Sequence, residues 1–149
     1  MPPRPSREPK YRRARIRHFL FTVGPDRLSR GRIARRHVAR DLVLREIEIA
    51  APRWPAAFDG MRIGHVSDFH LGAVIDLERC LEAIALLESA EPDLVACTGD
   101  IVDLDHPPEL PEFLEALSAI EAPLGAYVVM GNHDALASAV DYRAKAVSY

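Results

Sequence analysis

Three short polar groups hold the residues most capable of chemistry: Asp68-Phe69-His70, Gly99-Asp100-Ile101-Val102-Asp103 and Gly131-Asn132-His133-Asp134. Their side chains offer carboxylate, imidazole and amide oxygen, all hard or borderline metal ligands. Each group begins where an apolar run ends, and open α/β sheets gather ligands at the ends of their strands. Asp68 and His70 lie two apart, so on an extended backbone both side chains point the same way and can reach one cation. Gly99 permits a sharp exit from its strand, placing Asp100 where its two oxygens can bridge two cations. Asp103 is expected to brace that loop or to meet a ligand. Asn132 can give its amide oxygen to a metal. His133 beside Asp134 forms a possible catalytic dyad, the carboxylate orienting an imidazole that protonates a leaving group. Taken singly, each group is also an ordinary turn. Together, with suitable residue types after three successive apolar runs, they read as a metal site.

The elements that must position these groups alternate in type. Met61 to Ser67, Asp93 to Thr98 and Leu124 to Met130 read as short apolar strands. Between them, Leu77, Cys80, Leu81, Ile84 and Leu87 mark one face of a helix with Asp76 as its N-cap. Leu110, Phe113, Leu114, Leu117 and Ile120 mark a second helix, opened by the Pro107-Pro108 and Pro111 region. A third, weaker helical pattern spans Ala135 to Val147. Strands alternating with helices predict βαβ units and a largely parallel sheet. Upstream, Val43 to Ile49 alternates as a half-exposed strand would, and the Pro-rich connector after it offers Trp54 and Phe58 as anchors onto the core. His65 falls mid-strand and is expected in the core or behind the ligands.

The chain has 149 residues, enough for one domain with a real core, and its net charge of −3 conceals a sharp asymmetry. Residues 1–40 hold thirteen Arg or Lys against Glu8 and Asp26, whereas residues 41–149 hold six basic against twenty acidic residues. The expected organisation is a basic, disordered arm over 1–40, with at most a short helix near Arg30 to Leu44, followed by a partial catalytic domain over 41–149. Cys80 and Cys97 are too few for a disulfide framework and read as buried, reduced thiols. No apolar stretch approaches the ~20 residues that span a bilayer. Arg12-Arg13 and Arg35-Arg36 lack the apolar segment that a twin-arginine export signal requires.

The triple motif resembles that of the calcineurin-like metallophosphoesterases, whose signature runs Asp-x-His, Gly-Asp-x-x-Asp and Gly-Asn-His-Asp or Glu. The resemblance covers about residues 42–140, and the segment from Arg45 to Ile63 looks similar to a bacterial membrane-associated phosphodiesterase subgroup. It implies an α/β fold, the amino-terminal half of a two-sheet sandwich flanked by helices. It also implies two divalent ions (Mn, Fe or Zn), with Asp68 and His70 on the first, Asp100 bridging and Asn132 on the second. His133 would contact the scissile phosphate. The expected reaction is phosphodiester or pyrophosphate hydrolysis by a hydroxide bridging the cations.

The family pattern continues with further histidines that do not follow Asp134 here. The expectation is therefore a fragment or decayed copy with weak metal binding and poor turnover, whose incomplete sheet exposes apolar surface. His18 and His37, in the arm, are expected to be poor substitutes for those imidazoles. The competing readings are a non-catalytic truncated module and a nuclease-type member. Expected partners are a phosphoester, lipid-linked if the subgroup likeness holds, and an anionic membrane surface met by the basic arm, with nucleic acid less favoured. The expected location is the cytoplasm, peripheral at the inner membrane face.

Overall fold

A computed structural model describes residues 8–136. Contrary to the expected disorder, the arm is helical: α1 (Glu8–His18), a π-helical turn (Phe19–Val23), α2 (Gly24–Leu28) and α3 (Arg32–Val38). Local hydrogen bonds, not an apolar stripe, organise it. Pro25 sits in the first turn of α2, where its missing N–H costs nothing. Arg30 and Gly31 take positive φ and close that helix, Gly31 N–H donating to the Asp26 carbonyl over 2.8 Å. The Asp26 carboxylate then accepts from Ala34 N–H at 2.8 Å, tying α2 to α3. Composition suggested disorder because these contacts leave no periodic signature.

Two further expectations fail upstream of the sheet. Val43 to Ile49 pairs with no strand among the described residues, and Val43, Ile47 and Ile49 stay exposed. Its alternation meets no partner to bury it. Trp54 and Phe58 do not reach the core either. Trp54 precedes and Phe58 ends a 3₁₀ turn (Ala56–Phe58); their rings meet at a tilt of 58° with centroids 6.0 Å apart, and Trp54 Nε1–H donates to the Phe58 carbonyl.

From Met61 the α/β expectation holds. Strands β1 (Ile63–Val66), β2 (Leu94–Cys97) and β3 (Ala126–Val128) form a parallel sheet in that spatial order. Helices α4 (Leu77–Glu88) and α5 (Leu110–Ser118) make the crossovers and pack on one another. Asp76 caps α4, its side chain accepting from Arg79 N–H at 3.0 Å. Cys80, Ile84 and Leu87 of α4 and Leu110, Phe113 and Leu117 of α5 are buried in one cluster with Val95 and Cys97 of β2. Phe113 is fully buried and meets Phe69 edge-on at 4.8 Å, a contact that adds to the ~2–3 kcal/mol of burying such a ring. Because Phe69 belongs to the first polar group, the core holds that group from beneath.

The opposite sheet face is open among the described residues. Ile63, Tyr127 and Val129 are exposed, as expected for part of a sandwich. His65 lies on this face rather than in the core, and its Nε2 meets the Thr98 hydroxyl at 2.9 Å. The short α6 (Asn132–Leu136) begins three residues before the expected third helix, whose remainder lies outside the described residues.

Both cysteines are buried and unpaired, as expected. Burial, reinforced by the Asp76 charge, pushes the Cys80 thiol up from 9.0 to about 12, and burial raises Cys97 as well. The folded protein thus holds the Cys80 proton more tightly than the unfolded chain. That contribution to stability is fully present below pH 9 and declines as pH rises from 9.0 to about 12. At about pH 8, below the ordinary thiol range, iodoacetamide should leave both thiols unmodified until urea unfolds the chain. Mass spectrometry showing alkylation of the native protein would contradict this burial.

Candidate metal centre

The loops after β1 and β2 do not diverge when the strands end. Asp68 N–H donates to Gly99 O at 3.0 Å, His70 N–H to Asp100 O at 3.0 Å, and Leu71 N–H to Ile101 O at 2.8 Å. These bonds prolong the parallel register through both groups and hold them side by side. The backbone there is not extended, as the two-residue spacing suggested. Asp68, His70 and Asp100 all take positive φ (56°, 49° and 52°). Such conformations cost on the order of 1–3 kcal/mol each and persist only where the surroundings enforce them. The left-handed turns still bring Asp68 and His70 together, with Oδ1 and Nε2 3.8 Å apart.

The third group is pressed against the second. A Cβ on Gly99 would collide with the backbone nitrogen of Gly131, and one on Gly131 would collide with Asp100 Oδ1. With neither Cβ present, Asp100 Oδ1 accepts the His133 N–H at 2.8 Å. One cluster results: Asp68, His70 and Asp100, each offering a ligand atom within 4.8 Å of the others. Ligand bonds of ~2.1 Å to a single ion would close those gaps with small side-chain shifts. Two carboxylates and one imidazole suit Mn, Fe or Zn, so this donor set fits a divalent cation. Asn132, exposed, opens α6 next to His133.

The expected dyad is rearranged. Asp134 is buried, and its carboxylate accepts from Val102 N–H at 3.1 Å and from Gly131 N–H at 2.9 Å. It braces the second and third groups and does not hold the neighbouring imidazole. Asp103 takes that place: His133 Nδ1 meets the Asp103 carbonyl and lies 3.6 Å from Asp103 Oδ1. A carbonyl only accepts, so Nδ1 carries the proton and Nε2 is left as the ring's proton-accepting nitrogen. His70, Asp103 and His133 form a second group of potential ligands within 4.8 Å. The rings of His70 and His133 meet edge-on at 4.7 Å. The roles expected of Asp103 and Asp134 are thus largely exchanged, because sequence adjacency on a helix start says nothing about which way a carboxylate turns.

A cavity of about 960 Å³ opens over these residues, its far wall supplied by the arm. His18, at the end of α1, reaches Asp103 Oδ2. No motif marks His18, and only the folded arm brings it here.

A profile of calcineurin-like phosphoesterases matches residues 61–148. The chain belongs to that family. Among curated proteins it is similar to a transmembrane protein with metallophosphoesterase domain from Danio rerio, 29% identical over 89 residues. It is also similar to the uncharacterized metallophosphoesterase YkuE of Bacillus subtilis (36% over 81 residues) and to the UDP-2,3-diacylglucosamine pyrophosphatase LpxG of Chlamydia trachomatis (33% over 86). These matches cover 60%, 54% and 56% of this chain but only 20%, 28% and 25% of the relatives. No solved structure matches. The sequence resemblance to metallophosphoesterases is therefore borne out, as is the partial α/β fold that it implied.

If Asp134 is the brace described, Asp134→Ala leaves two amides without their acceptor. Urea unfolding should then show a loss of about 3 kcal/mol, and Asp134→Asn, which keeps one acceptor, about half. A residue serving only the His133 ring would leave stability unchanged.

Proposed function

We propose that this phosphoesterase-family chain carries the amino-terminal half of a metal-dependent phosphodiester- or pyrophosphate-hydrolysing site. The convergence of Asp68, His70 and Asp100 at the ends of parallel strands carries the reading. Asp68 and His70 would hold the first of two divalent cations, Asp100 would bridge to the second, and Asn132 would add its amide oxygen. When bound, such cations supply Lewis acidity and a nucleophile at neutral pH. His133, oriented by Asp103 through Nδ1, would use Nε2 to accept or return a proton at the leaving oxygen. Asp134 contributes indirectly, by fixing the loops.

The test is hydrolysis of bis-p-nitrophenyl phosphate with Mn²⁺, Fe²⁺ or Zn²⁺, with metal binding followed by calorimetry. Binding and turnover should both vanish with a chelator. Asp100→Asn should cost more than the ~10–100-fold typical of a supporting partner. Turnover indifferent to chelator and to Asp100→Asn would overturn the reading, as would failure to bind any of these cations.

We further propose that the arm seats the protein on an anionic membrane surface facing the cytoplasm, where a lipid-linked phosphoester would be within reach. Phe19, Leu20, Phe21 and Leu28 are 52–88% exposed on a segment rich in arginine, a pattern suited to the headgroup boundary. Among the described residues no helix is long and apolar enough to cross a membrane. The chain should sediment with phosphatidylserine vesicles at low salt, less so at high salt, and not with neutral phosphatidylcholine. Phe19→Ser with Phe21→Ser should weaken this binding. Tight duplex-DNA binding without vesicle binding would instead favour the nuclease-type reading.

A further inference from the structure

We propose that His18 of the arm is a positioning residue for His133, acting through Asp103. The inference rests on reading His133 as the group that serves the leaving oxygen, and it adds a residue from outside the three motifs. Three contacts fix that imidazole in turn. The His133 backbone N–H donates to Asp100 Oδ1 at 2.8 Å, which sets where the side chain starts. Its Nδ1 meets the Asp103 carbonyl and lies 3.6 Å from Asp103 Oδ1, which sets how the ring turns. Asp103 is held in turn by His18, whose Nε2 lies against Oδ2, the other oxygen of the same carboxylate.

Asp103 needs such a brace. Its own N–H donates to Leu71 O over 3.3 Å, a long bond that secures the loop backbone only loosely. The two side chains are 20% (His18) and 15% (Asp103) exposed, so losing either would leave the other's polar atoms poorly compensated. His18 Nε2 is shut off from solvent and makes no aligned hydrogen bond among the described residues, so the Asp103 carboxylate is the polar group it faces. A carboxylate only accepts, so Nε2 carries a proton toward it, whether the ring is neutral or charged. The arm is fitted to deliver that proton. Ala14, one turn before His18 on the same helical face, is buried and lines the same cavity, so its small side chain lets α1 approach closely. At the arm's other end, Arg79 of α4 donates to the Arg40 carbonyl. Docking of the arm thus reaches the His133 ring through one carboxylate.

The test is ¹⁵N–¹H NMR of the imidazoles in the full chain, in chelator and at about pH 8, where a free imidazole is neutral. In the parent, His133 should be the Nδ1–H tautomer with Nε2 unprotonated. His18→Ala should shift it toward the tautomer mixture of a free imidazole, while the amide shifts of the α4–α5 core stay in place. His18→Gln, which again offers an N–H to Oδ2, should restore the Nδ1–H tautomer. Ala14→Leu, which removes no polar group but crowds α1 away, should act as His18→Ala does. An unchanged His133 tautomer in His18→Ala, or no recovery in His18→Gln, would overturn the proposal. A parent without the Nδ1–H tautomer would overturn it together with the orientation proposed for His133. With chelator present, the readout stands whether or not calorimetry finds a bound cation, so this inference and the metal-centre reading can fail separately.

Discussion

The approach of Gly99 to Gly131 is the contact on which the site depends. Two backbones meet so closely there that a single methyl group on either would collide with its neighbour. That proximity lets the Asp100 carboxylate receive the His133 amide. The same proximity keeps Gly131 N–H within reach of Asp134, which joins the third loop to Val102 in the second. Two carboxylates thus act as crosslinks between loops that follow different strands. The parallel ladder brings those loops to one edge, but it could not by itself fix their separation. Glycine at both positions allows the fixed separation, and the carboxylate–amide bonds maintain it.

Strain at the site follows from this arrangement. Asp68, His70 and Asp100 hold left-handed conformations that an L side chain ordinarily avoids. Their backbone groups are nevertheless engaged: Asp68 and His70 donate to the β2 loop, and Asp100 O accepts from His70. The turn energy is therefore offset by bonds that exist only when the two loops lie in register. Slipping that register by one residue would release the strain and also disperse the ligand atoms. Buried Phe69, packed on Phe113, opposes such a slip from within the core. Helix packing some distance from the ligands thereby contributes to ligand geometry.

What was legible in the sequence divides along the same physical line. The strands, α4 and α5 each carried an apolar period and flanking signals, such as Asp76 before Leu77, and they formed where expected. The polar groups were legible because residue type and position after a strand reinforced one another. Val43 to Ile49 had a period but no partner, and periodicity records only a capacity for burial. The arm helices rest on Asp26 and Gly31, contacts too local and too few to stand out from an arginine-rich composition. The exchange between Asp103 and Asp134 was illegible for a third reason. Both lie near His133 in sequence or in space, and the choice between them depends on which carboxylate finds unpaired amides.

Charge links the arm to the chemistry. Asp68, Asp100 and Asp103 crowd one site, and at about 4 Å each unit charge repels an anionic phosphoester by about 4 kcal/mol in a partly screened setting. Carboxylates crowded in this way disfavour an anionic phosphoester unless positive charge offsets them. Arg17, Arg40 and Arg79 line the adjoining cavity and lessen the repulsion, with two of the three contributed by the arm. They can attract a phosphate, but the carboxylates of Asp68 and Asp103 contact histidines and Arg79 pairs with Glu82, so these arginines do not pair with the clustered carboxylates. On the proposed reading, a cation held between the carboxylates would reverse the sign of the local charge, and the arginines would then add to the attraction instead of competing with repulsion. Under that proposal, metal occupancy and substrate admission would be one equilibrium.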